Sequence, residues 1–588
     1  IRKPANHTSI VIGIGRFTSA VRRVHCHSKA ILTVTRRIDA VQNQKLDMTI
    51  SNDTSQKIVD ILVIGAGASG GAAAAWLAEA GFSVKCLEQG YWQDPSKYAS
   101  ASKDYEFEML TNWAPDPNVR QRDEDYPVND SNSPITPVMF NGVGGSTILW
   151  TAHTPRFHPS DFRVKTLDGV ADDWPISYDE LDEFYDLNDE VMGCSGINGD
   201  PANPPRSPRQ MPPLPLGKDG KKLISGFEKL GWHWWPSDSY VNSQRYGEER
   251  DACNFCGHNH MGCYQRAKSS TDLTYWPRAL RSGATIETGA RVRRVTTDEL
   301  GRVTGAEYVD SKGNERRQRA RAVIMAANGI GTPRLLLNSV STAHAEGLAN
   351  SSGLVGKNLM FHPFAMISGT FPEKMNTWQG PLGNIAMSQE FYETDKSRGF
   401  VRGYTYQFQR SLGPAWIANG GFRDPVPWGK GHHDELEKRL GSVMAIAVIG
   451  EDLPEEHNTV ELDPELTDSD GIPTPRLNYT LSKNSRDQLD HAIENAKKAL
   501  KAAGADDIYV DPMMRQSGWH LMGTARMGND PTRSVVNKWG QSHDVDNLFI
   551  VDGSVFVTGA AVNPTPTIQA LALRTADYIV SNRQDIKG

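Results

Sequence analysis

Residues 58–64, Ile-Val-Asp-Ile-Leu-Val-Ile, are apolar and β-branched with no helical period, which predicts a short buried strand. Gly65-Ala66-Gly67-Ala68-Ser69-Gly70 interrupts the run. Alanine-rich residues 71–80 then read as a helix ending at Gly81, and Phe82 to Leu87 as a second strand closed by Glu88. Residues 284–325 alternate apolar and polar around Gly301 and Gly305, predicting short strands and turns, and Ala322 to Ala327 is another buried-strand candidate. Residues 364–510 mix alternating segments with one amphipathic helix, roughly Ser485 to Ala503. Leu548 to Val551 is a last apolar strand, followed by Asp552-Gly553, and a helix is expected near Thr567 to Asn582. Two stretches lack such a pattern: 114–137 reads as an irregular excursion and proline-rich 196–217 as a loop or lid. Buried strands at the start, middle and end predict a discontinuous dinucleotide domain with a second domain inserted.

A length of 588 residues exceeds what one core organises, and 38% hydrophobic with 23% charged residues is ordinary for a globular protein. A net charge of −7 argues against nucleic acid as the main partner. No run of about 18 apolar residues predicts a membrane span. The first 47 residues hold nine Lys or Arg against two Asp, and the first Met is Met48. A basic, acid-poor segment fits a targeting leader. Upstream translated sequence with Met48 as the start is the favoured alternative, because residues 48–57 run straight into the first strand. With that start there is no secretory signal, and the cytoplasm is the expected location.

Gly65, Gly67 and Gly70 have the spacing G-x-G-x-x-G between a strand and a helix. The first permits the tight turn, the second a close approach of backbone to a pyrophosphate, and the third close packing of helix on strand. Glu88, at the end of the second strand, is placed to accept hydrogen bonds from ribose hydroxyls. The unit predicts a bound dinucleotide without separating FAD from NAD.

Six further blocks carry a resemblance: NGVGGSTILWTAHTPRF at 141–157, WPISYDELDEFY at 174–185, AANGIGTPRLLLNS at 326–339, GLVGKNLMFHP at 353–363, GWHLMGTARMG at 518–528 and NLFIVDGSVFVTGAAVNPTPTIQALALR at 547–574. In this order they resemble the glucose–methanol–choline oxidoreductases, in look nearest the pyranose-oxidase, bacterial glycoside 3-oxidase and gluconate-dehydrogenase members. The resemblance spans most of residues 58–583. It implies an α/β and α+β fold: a Rossmann-type FAD-binding domain (55–160, 250–360 and 511–588) with an inserted substrate domain containing an antiparallel sheet (161–249 and 361–510).

The implied reaction is removal of a proton and a hydride from an alcohol, with flavin taking the hydride and the protein supplying orientation and a base. His520, at the family's His-x-x-Gly-Thr position, is the expected base, since an imidazole with a pKa near 6.5 is largely neutral at working pH. Asn563, in Asn-Pro-Thr-Pro-Thr, is expected to donate to the substrate oxygen. Gly144 and Gly145 resemble the loop that passes over the flavin; Asp552 and Gly553, Val292, Pro564 and Thr565 resemble further cofactor contacts. Pyranose oxidases join a His covalently to FAD where this chain has Leu149, so noncovalent FAD is expected, with His153 and His158 as distant attachment candidates.

Cys253, Cys256 and Cys263 with His258 or His260 have some zinc-site or iron–sulfur character, but Asn259 stands where a related cysteine occurs, and a structural turn with no metal is the favoured reading. Trp232, Trp234 and Trp235 are expected to pack in the core rather than stack on a sugar. The substrate expected from the resemblance is a sugar or glycoside oxidised at C2 or C3, with oxygen, a quinone or another acceptor taking the electrons. A choline-like or aryl-alcohol enzyme, a sugar-acid dehydrogenase and a flavin module without catalysis are the rivals.

Overall fold

The computed structural model describes residues 57–587, so the proposed leader, residues 1–47, lies outside the described residues. The strand Val59–Ile64 lies between Val84–Glu88 and the C-terminal half of Glu315–Met325, parallel to both. Thr285–Thr288 extends this sheet beyond Val84–Glu88, and Leu548–Ile550 pairs in parallel on the far side of Glu315–Met325.

The strand Glu315–Met325 explains its own sequence. Its first half, Glu-Arg-Arg-Gln-Arg-Ala-Arg, is mostly exposed and pairs antiparallel with Val303–Val309, which in turn pairs with Arg291–Thr297. Its last four residues, Ala-Val-Ile-Met, are buried between parallel neighbours on both sides, where polar side chains have no outlet.

The helix Ala68–Glu79 packs between Thr565–Ser581 and Tyr275–Arg281. Small residues permit that closeness: a Cβ on Gly71 would lie 3.1 Å from the Trp276 indole nitrogen.

A second sheet is antiparallel, in the order Asp507–Asp511, Phe364–Thr370, Val443–Gly450, Tyr404–Gln409, Ala386–Ser388 and Trp235–Pro236. The central strand Val443–Gly450 is buried along its whole length. Helices Gly217–Leu230 and Lys483–Ala503 cover one face, meeting Tyr404, Tyr406, Phe408, Met444 and Ile446 in a shared core. The long helix begins where Ser482 caps the Ser485 amide and ends at left-handed Gly504, close to the predicted span. Phe227, 0% exposed, contributes about 1.5–3 kcal/mol by burial.

The irregular expectation for 114–137 needs correcting in part. The segment contains the helical turn Pro117–Arg120 and the strand Asn129–Asn132, which pairs with Pro473–Asn478 in a small third sheet. That pairing joins chain regions hundreds of residues apart and leaves no local signal. Among the described residues no helix is long and apolar enough to cross a membrane.

Candidate active site

The two glycine loops lean on one another. Gly65 has φ +102°, and a Cβ there would fall 2.5 Å from the Ala326 carbonyl oxygen; one on Gly70 would fall 2.0 Å from the Gly65 oxygen. Gly145, at φ +52°, would put a Cβ 2.8 Å from the Gly67 Cα, whereas a Cβ on Gly67 would meet nothing nearer than 4.0 Å. Gly67 therefore faces open space. It also starts the helix Ala68–Glu79 without any side-chain cap, so first-turn amides are left for an anion. Trp276 Nε1 and the Gly144 amide both donate to the Ala66 carbonyl, at 2.9 and 3.0 Å, fixing the loop from below.

Glu88 sits at the end of its strand, 6% exposed, and accepts from the Ala66 amide at 2.7 Å and the Gly90 amide at 2.8 Å. Burial raises its carboxyl pKa, and those amides hold it back. Each oxygen retains lone pairs, so the buttressing role adds to the expected ribose contact and does not replace it.

From these loops a cavity of about 530 Å³ runs to the second sheet, within the usual range for small-molecule sites. Of the thirteen predicted site residues, eleven line it: Gly65, Gly67, Glu88, Gly145, Val292, His520, Asp552, Gly553, Asn563, Pro564 and Thr565. Gly70 and Gly144 lie just behind, Gly70 under Gly65 and Gly144 at φ +104° against Asp272 and Ile148. Asp552 accepts from Thr332 Oγ1 at 2.5 Å and from Ser554, so its carboxylate is anchored at the wall. Pro564 precedes the helix Thr565–Ser581, again without a side-chain cap; since Pro564 and Pro566 carry no N–H, the first-turn amide that this helix brings to the cavity wall is that of Thr565.

The other end of the cavity rests on the face of the antiparallel sheet turned away from its helices, where Phe364, Met366, Gln407, Gln409 and Ile449 line the space. Cross-strand register sets small Ala447 between Met366 and Gln407, and Ala445 between Ser368 and Gln409, which keeps the floor low.

His520 Nδ1 lies 2.6 Å from His362 Nδ1, and His362 Nε2 lies 2.7 Å from the Ala560 and 3.2 Å from the Gly559 carbonyl oxygen. Two carbonyls accept only, so His362 carries its proton on Nε2 and its Nδ1 is a bare acceptor. His520 then donates through Nδ1, and its Nε2, without a protein partner among the described residues, holds a free lone pair. Burial pushes the His362 pKa down to about 4, and burial, then the His362 and His153 rings, holds His520 well below the usual imidazole range. Asn563 is oriented in the same way: Gln407 Nε2 donates to its Oδ1 at 2.5 Å, leaving its amide N–H groups for a ligand.

Family models described as GMC oxidoreductase match residues 215–364 and 454–572. The 2-methyl-1,2-propanediol dehydrogenase of Mycolicibacterium austroafricanum is 43% identical, over 91% of this chain and 97% of that protein. The chain belongs to the GMC oxidoreductase family. It is an oxidoreductase acting on CH–OH donors, and the resemblance noted in the sequence holds. The fructose dehydrogenase large subunit of Gluconobacter japonicus is 30% identical over 91% of this chain and 99% of that protein. Pyridoxine 4-oxidase from Mesorbium loti shares the fold, with a TM-score of 0.63 at 19% identity over 88% of this chain and 99% of that one.

Leu149 lines the cavity, as does His153, whereas His158 is turned to Glu393 at 2.9 Å and Gln389 at 3.1 Å. Trp232 packs edge-on against Phe227 and Phe391, away from the cavity; the tryptophans that line it are Trp150, Trp416 and Trp519. The Cys253–Cys263 loop packs on residues 98–100 and 148, with the Gly262 amide donating to the Ile148 carbonyl at 3.1 Å. Among the described residues no group of three or more His, Cys, Asp or Glu is arranged to hold a metal. His362, Gln407 and Gln409 were not singled out from the sequence. The two glutamines did leave a trace: they alternate with Tyr406 and Phe408 in Tyr404–Gln409, placing amides on one face and aromatics on the other.

Proposed function

We propose that the protein is an FAD-dependent enzyme that oxidises a secondary alcohol of a sugar or glycoside, at C2 or C3, to a ketone, with His520 as base and Asn563 as its partner. The observation that carries this reading is the free Nε2 of His520 and the free amide of Asn563, lining one cavity with the paired glycine loops. Gly65, Gly67, Gly70, Gly144 and Gly145 with Glu88 and Val292 would hold the dinucleotide portion; Asp552, Gly553, Pro564 and Thr565 would hold the part nearer the reacting pair. The fit is supported by the uncapped helix start and by the space over Gly67. Bound FAD supplies the hydride acceptor. With Leu149 in place of a linkable side chain, the cofactor is held noncovalently, so acid precipitation should release all flavin into the supernatant. Residues 55–160, 250–360 and 511–588 form the FAD-binding part, and 161–249 with 361–510 the substrate part. Electrons pass on to oxygen, a quinone or another acceptor.

Neutral His520 accepts the hydroxyl proton on Nε2 while Asn563 donates to the alcohol oxygen and holds it as negative charge develops. The imidazolium so formed keeps its Nδ1–H on His362, whose other nitrogen stays on the Gly559 and Ala560 carbonyls. The base is thus oriented by backbone.

A second reading, oxidation of a small diol, is favoured by the 43% identical relative named for 2-methyl-1,2-propanediol. Anaerobic flavin bleaching with sugars, glycosides, that diol, choline and benzyl alcohol tests both. Bleaching by the sugars supports the first reading and by the diol alone the second; a flavin that no alcohol bleaches would sink them together.

A further inference from the structure

We propose that His153 and Gln409 form a subsite for a second hydroxyl of the substrate, restricting the enzyme to uncharged alcohols that carry more than one hydroxyl. The inference rests on His520 and Asn563 being the reacting pair.

His153 is 1% exposed and lines the cavity, yet among the described residues neither ring nitrogen has a hydrogen-bond partner. A buried polar group left without a partner is unfavourable, and a ring that lines a cavity with both nitrogens bare is suited to completion by a ligand. Burial pushes the ring's pKa down to about 3, so at neutral pH it offers one donor and one acceptor. The Gln409 amide, on the same wall, makes no side-chain hydrogen bond among the described residues. The two meet over Gly383, where an added Cβ would fall 2.6 Å from His153 Nε2 and 2.7 Å from Gln409 Oε1. A side chain there would block them. His260 opens on the same cavity with an unpartnered Nδ1, and its neighbour Asn259 accepts from the Leu382 amide at 3.2 Å.

The position ties the subsite to the reaction. Gln407, which orients Asn563, and Gln409 are two residues apart on one strand and project from the same face, about 7 Å apart along the backbone. One amide serves the reacting hydroxyl through Asn563, and the next is left for another polar group of the same molecule.

Chemistry narrows that group. A hydroxyl donates and accepts, so it satisfies a neutral imidazole and a carboxamide together. A carboxylate only accepts, and a quaternary ammonium does neither. The charged residues lining the cavity are Glu88, Arg334 and Asp552. All three are already partnered: Glu88 by backbone amides, Arg334 by Asp468 and the Pro473 carbonyl, and Asp552 by Thr332 and Ser554. Among the described residues no Lys, Arg, Asp or Glu lines the sheet end to balance a charged substrate.

The test compares matched pairs on the holoenzyme: cyclohexane-1,2-diol against cyclohexanol, and 1,2-propanediol against 2-propanol, each read as the second-order constant for anaerobic flavin reduction. The diol should lead by at least about 10-fold in the wild type. In His153→Leu and in Gln409→Leu the diol-to-mono-alcohol ratio should fall toward one, with His153→Asn retaining part of it. A wild-type ratio near one, a ratio unmoved in both leucine variants, or faster bleaching by gluconate or choline than by the diols would overturn the subsite. Failure of the underlying reading looks different: no sugar, glycoside, diol or mono-alcohol bleaches the wild-type flavin, and both proposals go.

Discussion

The two ends of the cavity present different surfaces. At the parallel-sheet end the recognising surface is backbone: glycines at Gly65, Gly67 and Gly145 bring main chain close, and an uncapped helix presents amides. At the antiparallel-sheet end it is side chain: His520, Asn563, Gln407, Gln409 and His153, each set by a neighbour or left open to the cavity. Backbone recognition suits a cofactor that never changes, because its geometry needs only glycines in order. Side-chain recognition suits a substrate, because exchanging one residue retunes it without disturbing the fold.

Changes at the side-chain end should alter chemistry without releasing flavin. His520→Ala should slow anaerobic flavin reduction about 10²–10⁴-fold, with the ratio of flavin to protein absorbance unchanged. Loss of flavin from this variant would break the comparison. Asn563→Ala should cost about 10²–10³-fold in the same step.

The backbone end should respond the other way. Gly145→Ala places a Cβ at φ +52° and 2.8 Å from Gly67, a strain of about 1–3 kcal/mol, so flavin content should drop while residual holoenzyme keeps its substrate preference. Purified variant with full flavin would show that the loops do not need to touch.

The smallest effects belong to His362, which touches the proposed base His520 and is not among the residues lining the cavity. With His520 as the proposed base and its pKa held well below the usual value, wild-type flavin reduction should be flat above about pH 6.5 and fall only at a limb well under it. His362→Ala admits water beside His520 and relaxes the burial that lowers its pKa. That acid limb should move up toward 6.5, with a loss of about 10-fold at the plateau. An unmoved limb would reduce His362 to a packing residue.

Local pattern accounts for much of what was legible. The strand Val59–Ile64, the glycine turn, the alanine helix and Glu88 are adjacent in sequence, and each is dictated by neighbours a few residues away. The long amphipathic helix Lys483–Ala503 announced itself by period. By contrast, residues 364–510 read only as mixed alternation, since the strand order 364–370, 443–450, 404–409 is set by pairings between distant segments. His153 stood out weakly for being near the glycine loop. Nothing in its neighbours reveals that both nitrogens end up without a partner.

The sequence by itself determined the strand, glycine turn and helix at residues 59–79 and the family, and it singled out an imidazole and a carboxamide that line one cavity, because each rests on residue type at short spacing. Only the tertiary structure decided which nitrogen of His520 is free, what holds Asn563, and where the empty hydrogen-bonding groups gather. Those depend on contacts such as His362 with His520, 158 residues apart, and Gln407 with Asn563, 156 apart. Hydrogen-bond direction is settled by the partner's remaining lone pairs and protons, which a linear order of residues does not contain.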